Sequence, residues 1–180
     1  ADGSWGRQHK SAMTGLALLC YLGRCYDADS VYGDTVSRAM LQLVELAQKN
    51  PSHIFSETPQ QHAASYEHGI ATYALGEMWS FMRLGQKQMP GVREAFERGV
   101  QVIIENQLPD GGWGYGEDFC YRKTGAGDLS VTGWQFQALK AAHYSGLKIE
   151  GLHKSIDRAV DYLASKQSKD GGFGGTNREQ

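Results

Sequence analysis

Gln107-Leu108-Pro109-Asp110-Gly111-Gly112-Trp113-Gly114 decides the fold, because the chain writes this phrase more than once. A near copy, Gln167-Ser168-Lys169-Asp170-Gly171-Gly172-Phe173-Gly174, follows 60 residues later. A shorter one, Asp2-Gly3-Ser4-Trp5-Gly6, stands 108 residues earlier, about two units of 54. Recurrence at such a spacing marks a repeat architecture. The stretch from Gln48 to Phe55 reads as a worn fourth copy, keeping Asn50-Pro51 and Phe55 but no glycine. The chemistry of the phrase suits a turn. Aspartate can bond its own backbone, and consecutive glycines accept the positive φ that other residues resist. The aromatic buries a large apolar surface between neighbours, and the glutamine can tie the loop. The motifs therefore read as glue between repeats.

Between the motifs, apolar residues recur at helical spacing, as at 36, 39, 40, 43, 44, 46 and 47. Three helix pairs are expected: 11–24 with 34–49, 65–84 with 91–106, and 129–145 with 151–166. They make hairpins of about 7–50, 58–107 and 117–167 in a single repeat domain over 1–180. Asp34, Ser65 and Asp128 are placed as N-caps, since a short side-chain oxygen can accept from orphan N–H groups. Gly23, Gly85 and Gly146 fall at the ends of the first helices, where a left-handed cap is preferred. Thr14-Gly15, His68-Gly69 and Thr132-Gly133 share one register in those helices. A helix-interior glycine costs roughly 1 kcal/mol against alanine, so its recurrence predicts close helix–helix approach.

Composition narrows the function. With 18 Lys and Arg against 20 Asp and Glu the net charge is -2, and no basic cluster supports a nucleic-acid partner. The longest apolar run, 13–22, is broken by Thr14, Gly15 and Tyr21 and falls short of the roughly 18 residues of a membrane span. Cys20, Cys25 and Cys120 have no metal-finger spacing and read as reduced thiols. No phosphate-binding glycine loop follows a strand pattern, and no nucleophile elbow is present. The chain starts at Ala1, inside a motif, and is read as a piece of a longer polypeptide; its compartment is left open.

The segments Gln107 to Trp113 and Gln167 to Phe173 resemble the QW repeats of triterpene cyclases such as squalene-hopene cyclase. They are similar, too, to the repeats of protein prenyltransferase β subunits. The resemblance extends over essentially the whole chain. It implies an all-α fold, a partial α/α toroid of three helical hairpins, with inner helices around a cavity and outer helices surrounding them. It makes 11–24, 65–84 and 129–145 the inner set. A complete ring of the family holds roughly twice as many hairpins. The missing ones are expected from the rest of a parent chain or from a second copy, so a homo-oligomer is anticipated for the isolated chain.

The inner set carries Tyr66, Tyr73, Trp79, Phe81, Trp134, Phe136 and Tyr144. Of these, Tyr66, Trp79, Trp134 and Phe136 are the expected ligand-binding residues for a hydrophobic, isoprenoid-like molecule; ordinary core packing is the alternative for each. Glu67-His68 opens the second inner helix, where an acid–base pair can transfer protons, though a carboxylate there is also favoured by the helix dipole. Asp128 is a cap or a ligand-facing acid. Glu77 faces solvent, pairs with a neighbour such as Arg83, or points inward as an acid. The resemblance implies an Asp-x-Asp-Asp run for the protonating cyclases; Asp27-Ala-Asp29-Ser30 lacks its last acid. For the prenyltransferases it implies a zinc-binding Asp-x-Cys, matched by Asp118-Phe119-Cys120, with no histidine in the family's place. The expected function is a non-catalytic or accessory segment that binds a hydrophobic ligand or serves as a scaffold, without a cofactor. The alternative is part of an isoprenoid cyclase or zinc-dependent prenyltransferase completed elsewhere.

Overall fold

The computed structural model describes residues 2–50, 55–56, 62–116, 119 and 125–174. Among them the chain is all-α, with six helices: α1 Lys10–Leu22, α2 Gly33–Lys49, α3 Ala64–Leu84, α4 Val92–Glu105, α5 Leu129–Ser145 and α6 Leu152–Ser165. These match the six expected spans to within two residues at either end. The one β feature among the described residues is an isolated bridge between Gln167 and Phe173.

Helix α3 occupies the centre, with 13 of its 21 residues buried, so its apolar character runs most of the way round. It packs between α1 and α5. Helices α2 and α4 lie against each other and against α3, while α6 packs on α5. The even-numbered helices are amphipathic: α2 buries Val36, Ala39, Met40, Leu43 and Val44 and leaves Arg38, Glu45 and Lys49 in water. One contiguous core runs through all three pairs, from Leu18 and Met40 through Leu75 and Phe96 to Leu139 and Leu152.

Two expectations about helix ends need correction. Of the three predicted N-caps, Asp128 does cap α5, accepting from the N–H groups of Ser130 and Val131. Asp34 instead lies within the first turn of α2, and Ser65 within α3, where its buried Oγ has no partner among the described residues. Both turns enter their helices through residues without a capping side chain, Tyr32 and Ala63, so tertiary packing rather than a cap sets these starts. Gly23, Gly85 and Gly146 do end the first helices, but only Gly146 is left-handed, with φ 72°. After Gly23 and Gly85 the positive φ falls on Cys25 and Gln86 instead.

The glycine-aromatic motifs form the joints. In the middle copy Asp110 accepts from Gly112 N–H at 3.0 Å and from Gly127 N–H at 2.8 Å. Gln107 donates from Nε2 to the carbonyls of Gly111 and Ser155, and its Oε1 accepts from Arg158. Trp113 is fully buried, with its indole N–H on the Ile103 carbonyl at 2.8 Å. At about 25 cal/mol per Å2, burying a ring of about 200 Å2 contributes roughly 5 kcal/mol as an upper figure. The turn seats the aromatic on α4 and α5, and Gln107 ties the same joint to α6.

Two of the three repeated helix glycines mark close approaches. A Cβ on Gly15 would meet Ile70 of α3 at 3.0 Å, and one on Gly69 would meet Gln135 of α5 at 2.7 Å. Gly133, in the same register, has nothing within 4 Å. The two sites should therefore answer oppositely to alanine. Gly133→Ala is expected to stabilise by about 0.5–1 kcal/mol through helix propensity alone. Gly69→Ala should destabilise by roughly 1–2 kcal/mol, because it pushes the buried Gln135 amide off the Ser65 carbonyl it holds at 2.7 Å. Urea denaturation of both variants checks the sign.

Candidate functional site

The functional candidates gather where α1, α3 and α5 begin. There the N–H of three of the motif aromatics reaches a side chain one residue before the repeated glycine. Trp5 donates to Thr14 Oγ1 at 3.0 Å, and Trp113 donates to Thr132 Oγ1 at 3.0 Å. In the worn copy Phe55 donates to Nδ1 of His68 at 3.2 Å. His68 therefore occupies the threonine's place. Its Nδ1 accepts, so the ring proton sits on Nε2, which donates to the Gly99 carbonyl at 2.9 Å. The ring is fully buried between Phe55 and Phe119.

Glu67 points to a different partner. It is 5% exposed, and its Oε1 accepts from Nδ1 of His9 at 2.7 Å. His9 is the left-handed residue before α1, with φ 51°, so this contact ties the starts of α1 and α3 together. The expected Glu67–His68 pair is thus split between two structural contacts. Glu77 sits beside the hydroxyl of Tyr73, whose ionisation is pushed up by burial first and by Glu77 second.

Tyr66 and Asp128 are brought together. Tyr66 Oη lies 2.5 Å from Ser130 Oγ and 3.3 Å from Tyr115 Oη, and Ser130 Oγ donates to Asp128. His62 stacks on the Tyr115 ring at 3.9 Å between centroids. Burial works to raise the Asp128 carboxyl, but hydrogen bonds from Ser130, Val131 and Tyr115 outweigh it and hold it below the usual carboxylate range. Tyr115 is pushed up to about 12, first by the hydrogen bond it shares with Tyr66, with burial and Asp128 adding and Ser130 opposing. The cluster is an ionised carboxylate fed by neutral hydroxyls. Such a group accepts protons poorly at neutral pH and has none to give.

Of the other aromatic candidates, Trp134 stands one helical turn after Ser130 on α5. Trp79 stands 13 residues after Tyr66, roughly 20 Å along α3. Trp134 and Phe136, two apart on α5, face different sides of the helix. Phe136 packs on the core, and Trp134 is half-buried beside Gly133. Asp118 and Cys120 lie outside the described residues. Among the described residues no group of three His, Cys, Asp or Glu side chains is placed to hold a metal ion.

A cavity of about 280 Å3 opens elsewhere, at the far end of α1, lined by Cys20, Tyr21, Arg24, Tyr26 and Tyr32. Tyr32 packs against Tyr21 at 5.3 Å and Tyr26 at 5.0 Å, and Trp5 adjoins Tyr21 at 6.2 Å. Lys87 pins the loop carrying Tyr26 and Tyr32 through Asp27 and Asp29. The volume sits just below the range of pockets for drug-sized ligands, about 300–1,000 Å3. Sequence reasoning missed this site because only two of its residues belong to a helix. The signal was Tyr21, Tyr26 and Tyr32 closely spaced about a turn.

No protein-family model matches the chain. Over 83 residues, 46% of its length, the chain is 31% identical to lanosterol synthase of Saccharomyces cerevisiae. That stretch is 10% of the yeast protein, so the chain spans a small part of it. The likeness is to a triterpene cyclase at the level of the superfamily. No helix among the described residues is long and apolar enough to cross a membrane.

The hydroxyl–carboxylate cluster has a pH signature. A tyrosine whose folded ionisation lies near 12 contributes stability that is fully present below about pH 10, its unfolded value, and is lost as pH rises through the folded one. Denaturation midpoints measured from pH 9 to 12 should fall, and Tyr115→Phe should flatten that fall. Asp128→Ala should cost about 1 kcal/mol for the lost α5 cap and move the Tyr115 ionisation down. An absorbance titration of the tyrosinates reads the second effect.

Proposed function

We propose that the chain is a repeat segment of a triterpene-cyclase-like protein, an arc of an α/α toroid whose part is accessory. It supplies wall and scaffold rather than the protonating acid. One observation carries this reading: the three residues expected to be catalytic, Glu67, His68 and Asp128, each hold a contact of the frame. His68 replaces a threonine in a joint, Glu67 holds His9, and Asp128 caps α5 in ionised form. An alkene or epoxide is protonated by an acid that keeps its proton near neutral pH, which Asp128 does not.

The Tyr21–Tyr26–Tyr32 cavity offers a seat for a hydrophobic guest. Its aromatic faces suit an isoprenoid-like chain, and Arg24 on its wall suits an anionic end. The likeness to a named synthase favours a second reading, in which the chain is part of an isoprenoid-processing enzyme whose acid or zinc site is completed elsewhere.

One experiment tests the accessory reading. Purified chain is titrated into a fluorescent farnesyl analogue and, separately, incubated with squalene and its 2,3-epoxide. Saturable binding that weakens at least about tenfold in Tyr32→Ala, with no cyclised product by mass spectrometry, is the expected result. Cyclised product that disappears in Asp128→Asn would overturn the accessory reading and give the chain an acid of its own.

A further inference from the structure

The far end of α1 closes with a turn that glycine would ordinarily make. Cys25 N–H donates to the Leu22 carbonyl at 2.8 Å and Tyr26 N–H to the Tyr21 carbonyl at 3.0 Å, the paired bonds of a Schellman cap. The left-handed residue of that cap is Cys25, with φ 57°. A side chain resists this conformation, and such backbone persists where its surroundings hold it, often around a ligand. Here the cap returns Tyr26 to the wall that Tyr21 begins. Tyr32 completes the wall, its ring 5.3 Å from that of Tyr21 and 5.0 Å from that of Tyr26. Lys87 fixes the same segment from α3's end, 3.3 Å from Asp27 and in contact with Asp29.

The charges around this cavity are unequally committed. Both neighbouring carboxylates, Asp27 and Asp29, are held by Lys87. Arg24, on the cavity wall, is exposed and has no ion-pair partner among the described residues. A guanidinium stays charged throughout the working pH range and offers N–H donors without an acceptor. Beside it stand three phenol rings and the exposed Cys20 thiol. The lining therefore suits an apolar body that ends in an anion. Volume limits that body. At about 30 Å3 for each water in the liquid, 280 Å3 is the room of about nine waters, hence of about ten non-hydrogen atoms. A neutral triterpene chain would overrun the cavity and leave Arg24 unused.

We infer that this cavity is a seat for a compact organic anion, an apolar body of about ten non-hydrogen atoms ending in a carboxylate, held by the tyrosine rings and Arg24. The inference rests on the reading of the cavity as a seat for a hydrophobic guest, and narrows that guest by size and charge. The body packs on the rings of Tyr21, Tyr26 and Tyr32, and the carboxylate accepts from the Arg24 guanidinium. Lys87 offsets the two acids that would otherwise repel the anion.

Calorimetric titration of the intact chain with octanoate and with octanol tests it. Octanoate matches the cavity in size and should saturate with a Kd of about 1 mM or tighter. Octanol should bind about fivefold more weakly, and Arg24→Gln should bring octanoate to that level while leaving octanol unmoved. Raising salt to about 0.5 M should weaken octanoate alone. Lengthening the acid should tighten binding about twofold or more per methylene up to decanoate, and no further at dodecanoate. Thiol alkylation locates the site. Saturating octanoate should slow the reaction of Cys20 with iodoacetamide at least about threefold, read by peptide mass with Cys25 as the internal comparison. Equal affinities for acid and alcohol, indifference to Arg24→Gln, affinity still climbing at dodecanoate, or an unprotected Cys20 would each overturn the inference. If the farnesyl analogue nonetheless binds in a Tyr32-dependent way, the hydrophobic-guest reading outlives that failure; if neither probe saturates, both fall.

Discussion

One hydrogen bond organises this protein: the backbone N–H of a turn aromatic, taken by the side chain just before a glycine on the next odd-numbered helix. It recurs at Trp5–Thr14, Phe55–His68 and Trp113–Thr132. The bond fixes two things together. It sets the rotational phase of the helix, so that the following glycine faces its neighbour, and it leads the chain so that the aromatic enters the core. Phe55 and Trp113 are almost wholly buried as a result. A buried N–H without such an acceptor costs about 1–3 kcal/mol, so the acceptor is constrained even where the glycines around the aromatic are not.

That constraint gives His68 a place in this frame, as the acceptor for the Phe55 N–H. Read as a sequence, Glu67-His68 at the head of a helix is either an acid–base pair or a carboxylate favoured by the helix dipole. Read in place, one residue holds a neighbouring helix start through His9 and the other completes a joint. The polar cluster at Tyr66, Tyr115, Ser130 and Asp128 follows the same logic. Its carboxylate neutralises the start of α5 and accepts from several donors at once, which lowers its proton affinity while raising that of Tyr115.

The fold was legible because helix period, turn glycines and motif spacing agree. Details that depend on a partner were not. Ser65 has the chemistry of a cap, yet packing starts α3 one residue earlier and leaves the hydroxyl buried. Gly23 and Gly85 suit a left-handed cap, but their chains make the reversal at Cys25 and Gln86. The motif identified Phe55 as a degenerate copy, while nothing in a single sequence shows that histidine and threonine are interchangeable acceptors. The tyrosine-lined cavity was invisible for a related reason. Lys87, far along the chain, pins the Asp27–Asp29 segment that shapes it.

The chain length between each aromatic and its acceptor is not constant: 9 residues separate Trp5 from Thr14, 13 separate Phe55 from His68, and 19 separate Trp113 from Thr132. The frame on either side is the same in all three. These connections are therefore expansion slots, able to lengthen by ten residues without disturbing helix phase, because closing a longer loop adds under about 1 kcal/mol at these sizes. New side chains can enter this architecture there, at the heads of the odd-numbered helices, while every joint stays as it is.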